Sequence, residues 1–321
     1  MNVSARILRC LRNEESSAAE LGAKFGVSLE TILHEISLLE AAGFVFQQHP
    51  ILGYSLVSCP DRLIADDVAS RLAGDWVKEI LVFEKTSSTN DRAIELGTAG
   101  SNGPSVVLAE TQSAGRGRFG RVWNSTPRKG IWFSLMLRPK LPVEHWSRLP
   151  GAAALAVARA LEEIGVRHVG VKWPNDLQIG SGKVAGILIE TGSHSKKGPF
   201  AVIGIGINAN QSEFPSDIAT KATSLKQALG LAIDRTDLAA RLISHLQMTL
   251  LSTANKHPEM IQELRERSTL LGNPVRFETP TQKTTEGVAA DLDDEGRLIV
   301  QTQDGGLRTL NAGEVSLSSF S

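Results

Sequence analysis

Four short segments of the chain carry residue types suited to holding an anionic ligand. The densest is Gly115-Arg116-Gly117-Arg118-Phe119-Gly120-Arg121-Val122-Trp123. From Gly115 to Gly130 there are five cations (Arg116, Arg118, Arg121, Arg128, Lys129) and no acid. Alternating glycines let the backbone approach a ligand and take positive φ. Arginine forks match carboxylate and phosphate oxygens, each charge-assisted hydrogen bond contributing roughly 1.5–3 kcal/mol. Trp123 adds a flat face on which a base could stack, worth on the order of 1–3 kcal/mol. The second segment is Lys172-Trp173-Pro174-Asn175-Asp176. Pro174 keeps Trp173 extended and ends a strand. A lysine able to balance phosphate charge and a carboxylate able to hold a divalent cation or accept a proton thus stand at a strand end. In the third segment, Gly182-Lys183-Val184-Ala185-Gly186-Ile187-Leu188-Ile189-Glu190, a lysine opens an apolar strand. Gly186 clears a side chain from that strand's interior, as where a ligand or another backbone comes close. In the fourth, Gly204-Ile205-Gly206-Ile207-Asn208, two glycines leave a flat floor and Asn208 can donate and accept at its edge. Singly, each has a plainer reading: a solvated basic hairpin or RNA-binding loop, a salt bridge at a strand end, a surface lysine, and glycine packing.

The elements that must position these segments follow from hydrophobic periodicity. Residues 1–62 read as a winged helix-turn-helix. Ile7, Leu8 and Leu11 mark one helix, Leu21 to Phe25 a second, and Ile32, Leu33, Ile36 and Leu39 a third, with Ser16 or Ser17 and Ser28 as caps. Phe44–Phe46 and Tyr54–Leu56 then form a hairpin. Residues 63–268 alternate helical and extended patterns. Strands are expected at Ile80–Phe83, Val106–Leu108, Ile131–Leu137, Val169–Trp173, Val184–Glu190 and Ala201–Ile207. Helices are expected at Thr89–Leu96, capped by Ser88, and at Ala152–Ile164, Thr236–Ser252 and Glu259–Arg267. Clustered strands with later helices predict an α+β fold. Residues 269–321 hold short strands between turn clusters such as Asp293-Asp294-Glu295-Gly296, the pattern of a small β-barrel.

A net charge of −1 and 41% hydrophobic residues are ordinary for a globular protein. The longest apolar run, Ala152–Leu161, is short and carries Arg159, so no membrane span is expected. The start lacks the apolar core and cleavage site of a signal peptide. Two cysteines, Cys10 and Cys59, without metal-ligand spacing fit free thiols in a reducing cytosol, so a cytoplasmic location is expected.

Together, and in this order, Ser88-Thr89-Asn90, Gln112 with GRGRFGRVW, KWPND, GKVAGILIE and GIGIN resemble the biotin–protein ligase family. The likeness spans nearly all the chain and matches the longer bacterial type. It implies a central domain related to class II aminoacyl-tRNA synthetases and lipoate ligases, and a C-terminal SH3-like β-barrel. It implies activation of biotin with ATP and Mg²⁺ to an acyl-adenylate, then transfer to a lysine of the biotin carboxyl carrier protein of acetyl-CoA carboxylase. On this likeness Ser88, Thr89, Asn90, Gln112, Gly115, Arg116, Gly117, Arg118, Lys183, Gly186, Gly204 and Gly206 bind biotin. Arg118, Arg121, Trp123, Lys172, Asn175, Asp176 and Asn208 bind the nucleotide, Trp123 against adenine and Asn175 and Asn208 at its edge. Lys183, Arg118, Lys172 and Asp176 carry the chemistry, Asp176 also as a metal ligand. Family members of the repressor type often carry an arginine after a Glu-(Ile/Val)-Ser-Leu segment. Here Glu314–Leu317 is followed by Ser318, with Arg308 as a candidate substitute. Lipoate ligation is the neighbouring alternative, and a pure regulator with a dead ligase domain another, though no central motif is damaged.

The same family includes repressors of biotin genes that dimerise weakly, with the adenylate as corepressor. Charge argues against operator binding here. Residues 1–60 hold Arg6, Arg9, Arg12 and Lys24 against six glutamates. The third helix and the hairpin loop, where DNA would be read, hold no Lys or Arg, and DNA affinity rests on cations meeting phosphates. Only the first helix is basic. A ligase that has lost operator binding is the expectation, with a bifunctional ligase and repressor as the alternative.

Overall fold

A computed structural model describes residues 1–253, 255, 257–278, 284–311 and 315–317. The chain divides into two units, Met1–Asp75 with Asp234–Arg241, and Trp76–Ile233 with Leu242–Ser321.

The first unit opens with α1 (Val3–Asn13), α2 (Ala18–Phe25) and α3 (Leu29–Ala41), followed by the antiparallel hairpin β1 (Val45–His49) and β2 (Gly53–Ser58) and by α4 (Ala65–Ser70). Short polar side chains set the helix starts. Ser17 and Glu20 form a reciprocal capping box, and Ser28 accepts from the Thr31 amide. Gly26 closes α2 at φ +71°, a left-handed position that glycine takes without strain. The core is Ile7, Leu8, Leu11, Leu21, Ile32, Ile36, Leu39 and Phe44, each contributing roughly 1.5–3 kcal/mol by burial. The cations are bound to the unit's own chain. Arg9 donates to the carbonyls of Ala69, Ser70 and Leu72, and Arg12 pairs with Asp67. Arg6 lies 4.2 Å above the Phe25 ring and donates to its carbonyl. Lys24 pairs with Glu14 at 2.7 Å. The basic first helix is therefore a set of internal ties, not a cationic face.

The second unit is built on a seven-stranded sheet. In chain order its elements are β3 (Glu79–Phe83), α5 (Thr89–Thr98), β4 (Ser105–Ala109), β5 (Gly130–Leu137), α6 (Leu149–Glu163), β6 (Gly170–Lys172), β7 (Asp176–Ile179), β8 (Gly182–His194) and β9 (Gly198–Asn208). The strands run β3-β4-β5-β9-β8-β7-β6, and all neighbours but β3 and β4 are antiparallel. That is the α+β arrangement expected. Ala152 to Ala158 of α6 are fully buried, as a helix apolar on every side must be. Helices α7 (Leu225–Leu229), α8 (Arg235–Ser252) and α9 (His257–Arg267) follow, the start of α8 as far as Arg241 belonging to the first unit.

A second, five-stranded antiparallel sheet ends the chain. It comprises β10 (Pro274–Glu278), β11 (Thr284–Leu292), β12 (Leu298–Thr302), β13 (Leu307–Leu310) and β14 (Val315–Leu317), ordered β13-β12-β11-β10-β14. Its turn at Asp293–Gly296 meets the larger sheet's domain directly. Arg148 and Ser147 donate to the Glu295 carboxylate, each at 3.0 Å, and the Trp173 indole donates to the Gly296 carbonyl at 3.0 Å. The Arg148 hydrogen bond chiefly holds the Glu295 carboxyl down at about 2. No helix among the described residues is long and apolar enough to cross a membrane.

Two local expectations change. Ser88 occupies the N-cap position of α5, but its side chain makes no capping hydrogen bond. Helices α4 and α7 and strand β7 are not among the expected elements, because their four to six residues are too few to show a period.

Candidate active site

The site's floor is the pair β8 and β9. Gly204, Gly206 and Asn208 alternate on one face of β9, and Gly186 of β8 stands opposite Gly206. A methyl group at Gly204 would come within 2.2 Å of Asn90 Oδ1, and one at Gly206 within 2.4 Å of the Trp123 ring. At Gly186 it would meet both Trp123, at 2.8 Å, and Lys183 Nζ, at 3.2 Å. The glycines are there because other side chains lie on them.

At one end the first turn of α5 meets the floor. Gln112 Oε1 accepts from the Thr89 amide at 2.8 Å and the Thr89 hydroxyl at 3.1 Å, while Gln112 Nε2 donates to Ser125 Oγ at 2.9 Å. Ser134, fully buried on β5, bridges Thr89 Oγ1 and Asn90 Oδ1 at 2.8 and 2.5 Å. Asn90 Nδ2 donates to Glu190 at 2.6 Å. Glu190 also pairs with Arg116 at 3.0 Å, and Arg116 reaches Asp91 at 2.6 Å. Burial opposes the Arg116 charge, but the hydrogen bonds to Glu190 and Asp91 outweigh it and raise its pKa. Arg116 roots the arginine loop. Gly115 closes the loop's neck: its carbonyl accepts from the Trp123 amide at 2.9 Å. Beyond the neck the chain turns through Phe119 and Gly120 at φ +56° and +71°, leaving Phe119 and Val122 exposed.

The cations gather over the middle of the floor. Lys183 Nζ is 2.7 Å from Asp176 Oδ1 and 5.2 Å from the centre of a Trp123 ring. Arg118 donates to Asn175 Oδ1 at 3.1 Å. Lys172, Lys183, Lys221, Arg118 and Arg121 all line one cavity of about 910 Å³, as do the carboxylates Asp176 and Asp217. That volume is at the upper end for ligand pockets, which run to roughly 1,000 Å³. It suits a nucleotide beside a small acid.

Ser88, Thr89, Asn90, Gln112, Arg116, Gly117, Arg118, Arg121, Trp123, Lys172, Asn175, Asp176, Lys183, Gly186, Gly204, Gly206 and Asn208 line this cavity; Gly115 does not, because it is spent on the loop's neck. Asn175 and Asn208, expected at a base edge, are engaged within the protein. Asn175 Nδ2 donates to the Ile187 carbonyl at 2.8 Å, and Asn208 Nδ2 to the Thr223 carbonyl at 3.1 Å. Sequence reasoning missed Ser134, Gln211 and Lys221. It also passed over Glu190, although that acid ends a segment already singled out. Glu314 and Ser318 lie outside the described residues, while Val315 and Ser316 line the cavity. Arg308 does not, since β13 and β14 are opposite edges of their sheet. Among the described residues no three His, Cys, Asp or Glu gather as a metal site. One or two carboxylates beside a phosphate subsite do suit Mg²⁺ carried by a nucleotide, since that ion keeps several waters.

Known proteins resemble the chain throughout. Residues 82–208 match the Biotin/lipoate A/B protein ligase family, and residues 270–318 the Biotin protein ligase C terminal domain. The Bacillus subtilis "Bifunctional ligase/repressor BirA" is 32% identical over 311 residues, covering 95% of this chain and 94% of that one. The Mycobacterium tuberculosis "Biotin--[acetyl-CoA-carboxylase] ligase" is 38% identical over 250 residues, 76% of this chain and 90% of that one. The Aquifex aeolicus biotin protein ligase, solved in complex with biotin and ATP, superimposes with a TM-score of 0.66 at 31% identity, covering 75% of this chain and 99% of that chain.

Proposed function

The chain belongs to the biotin protein ligase family, and on that premise we propose how its cavity works. It is an ATP-dependent biotin–protein ligase. It forms biotinyl-5'-AMP with release of pyrophosphate, and a lysine of a biotin carboxyl carrier protein, here that of acetyl-CoA carboxylase, then attacks the acyl carbon, forming an amide as the acyl–phosphate bond breaks and AMP leaves. The observation that carries this reading is the convergence of Arg118, Trp123 and Lys183 on one cavity.

Two anions must meet for the first step. Lys183, Arg118 and Arg121 neutralise charge as the biotin carboxylate attacks the α-phosphorus. Asp176 holds the Lys183 ammonium over the reacting centre, and Lys172 faces the departing phosphates. Mg²⁺ carried by the phosphates, beside Asp176, would add Lewis-acid charge. The product is a hydrolysable mixed anhydride. The arginine loop, rooted by Arg116, shields it from water. In the second step Asp176 accepts the proton of the carrier lysine. Asp176→Asn is expected to slow transfer from preformed biotinyl-adenylate; an unchanged transfer rate removes that role.

The finer architecture belongs to the same proposal. Residues 1–62 form a winged helix-turn-helix, 63–268 a catalytic domain of class II aminoacyl-tRNA synthetase type, and 269–321 an SH3-like barrel. Two free cysteines suit work in the cytosol. A repressor role is a second reading, favoured by the bifunctional name of the B. subtilis relative over 95% of the chain. The tied-down cations of the first unit oppose it.

A further inference from the structure

Asn208 is engaged at both ends of its amide, and following its hydrogen bonds leaves one acceptor over. Asn208 Nδ2 donates to the carbonyls of Thr223 and Lys183, at 3.1 and 3.4 Å. Carbonyls only accept, so this nitrogen must face them. Asn208 Oδ1 therefore faces the other way, where Gln211 Nε2 donates to it at 3.2 Å. Turning either amide over would set oxygen against oxygen. Gln211 is thus locked with its own Oε1 directed away from Asn208. The residue is 4% exposed and lines the cavity. Its Oε1 is buried and meets no donor among the described residues. The backbone beneath it is pinned, since fully buried Ser224 donates its hydroxyl to the Gln211 carbonyl at 2.6 Å. A buried acceptor without a donor is unfavourable, and each such group calls for a reason. A donor on a ligand in the cavity supplies one.

Position on the sheet says which end of the ligand this is. Asn208 lies four residue steps beyond Gly204 on β9, about 13 Å along one face of the strand. The Thr89–Asn90–Gln112 network lies at the Gly204 end, Gln211 at the Asn208 end, and Lys183 with Trp123 between them. A ligand running from one end to the other meets the cations halfway and Gln211 last. In an acyl-adenylate that last group is the base.

We propose that Gln211 Oε1 accepts the 6-amino N–H of adenine and so selects ATP. A base with a 6-oxo group would place lone pair against lone pair there. This rests on the ligase reading and assigns the residue that fixes its nucleotide specificity.

The test is biotin-dependent pyrophosphate exchange with ATP, with purine riboside triphosphate (which lacks the 6-amino group), and with inosine triphosphate. The wild type is expected to prefer ATP over the purine nucleotide by about 10-fold in kcat/KM, the worth of one hydrogen bond, and to use inosine triphosphate least. Gln211→Met is expected to bring the ATP-to-purine ratio close to one. Equal use of ATP and the purine nucleotide by the wild type overturns the proposal whether or not the variant folds. An unchanged ratio in the variant also overturns it, and a raised KM for biotin alongside would move Gln211 to the acid. A wild type that exchanges no pyrophosphate with biotin and ATP sinks the ligase reading itself.

Discussion

The two units use cations in opposite ways. In the first, Arg6, Arg9, Arg12 and Lys24 all bind their own chain, each through a carbonyl or a carboxylate. In the cavity of the second, Lys172 and Lys221 make no ion pair among the described residues, and Lys183 has a single carboxylate partner. A three-helix-and-hairpin shape thus does not by itself make a nucleic-acid reader. What matters is which cations remain for a ligand once the fold has used its share.

Lys183→Ala should break the comparison most sharply. Removing a preorganised charge at the reacting centre is expected to lower adenylate formation by about 10²–10³-fold, read as biotin-dependent pyrophosphate release. Near-wild-type turnover would mean Lys183 is another structural cation. Glu190→Gln comes next. It weakens the anchor of Arg116, a charge-assisted hydrogen bond, so the KM for biotin should rise about tenfold; an unmoved KM would detach the loop's root from binding. The Arg148–Glu295 pair is a cation of the second unit spent on the fold, and its effect should appear in stability. With the Glu295 carboxyl lowered from 4.5 to about 2, its stabilisation is complete above the unfolded value and is lost as pH falls through the folded one. Wild type should therefore melt above Glu295→Gln at neutral pH, with the gap closing toward pH 2; a gap independent of pH would contradict the assignment. The smallest effect is expected on DNA. Titrating the protein's own biotin-gene promoter with protein, biotin and ATP should give no specific gel shift at physiological salt, because the third helix offers no cation to phosphate. A specific, salt-sensitive shift would favour the bifunctional reading.

Much of the site was legible because glycine and charge are conspicuous in sequence. Gly186, Gly204 and Gly206 announced a floor, and Arg118, Trp123 and Lys183 announced what lies over it. The uses of polar side chains were not legible. Arg9 and Arg12 read as basic because their partners, Asp67 and the carbonyls of Ala69, Ser70 and Leu72, are more than fifty residues away. Asn208 read as a free amide because Thr223 and Gln211 close on it only in three dimensions. Gln211 itself, in a polar stretch without pattern, carries no sequence signal; only its unmet acceptor marks it. Helix caps were plainer, since Ser17 and Ser28 act within their own turns, yet Ser88 shows that a capping residue type does not guarantee a cap.

The most direct test of the whole account is the intact mass of a purified biotin carboxyl carrier domain after incubation with this protein, ATP and an equal mixture of biotin and lipoate. One biotinyl group per carrier, appearing only with ATP, is the predicted result. An unmodified carrier, or one bearing lipoate, would contradict it.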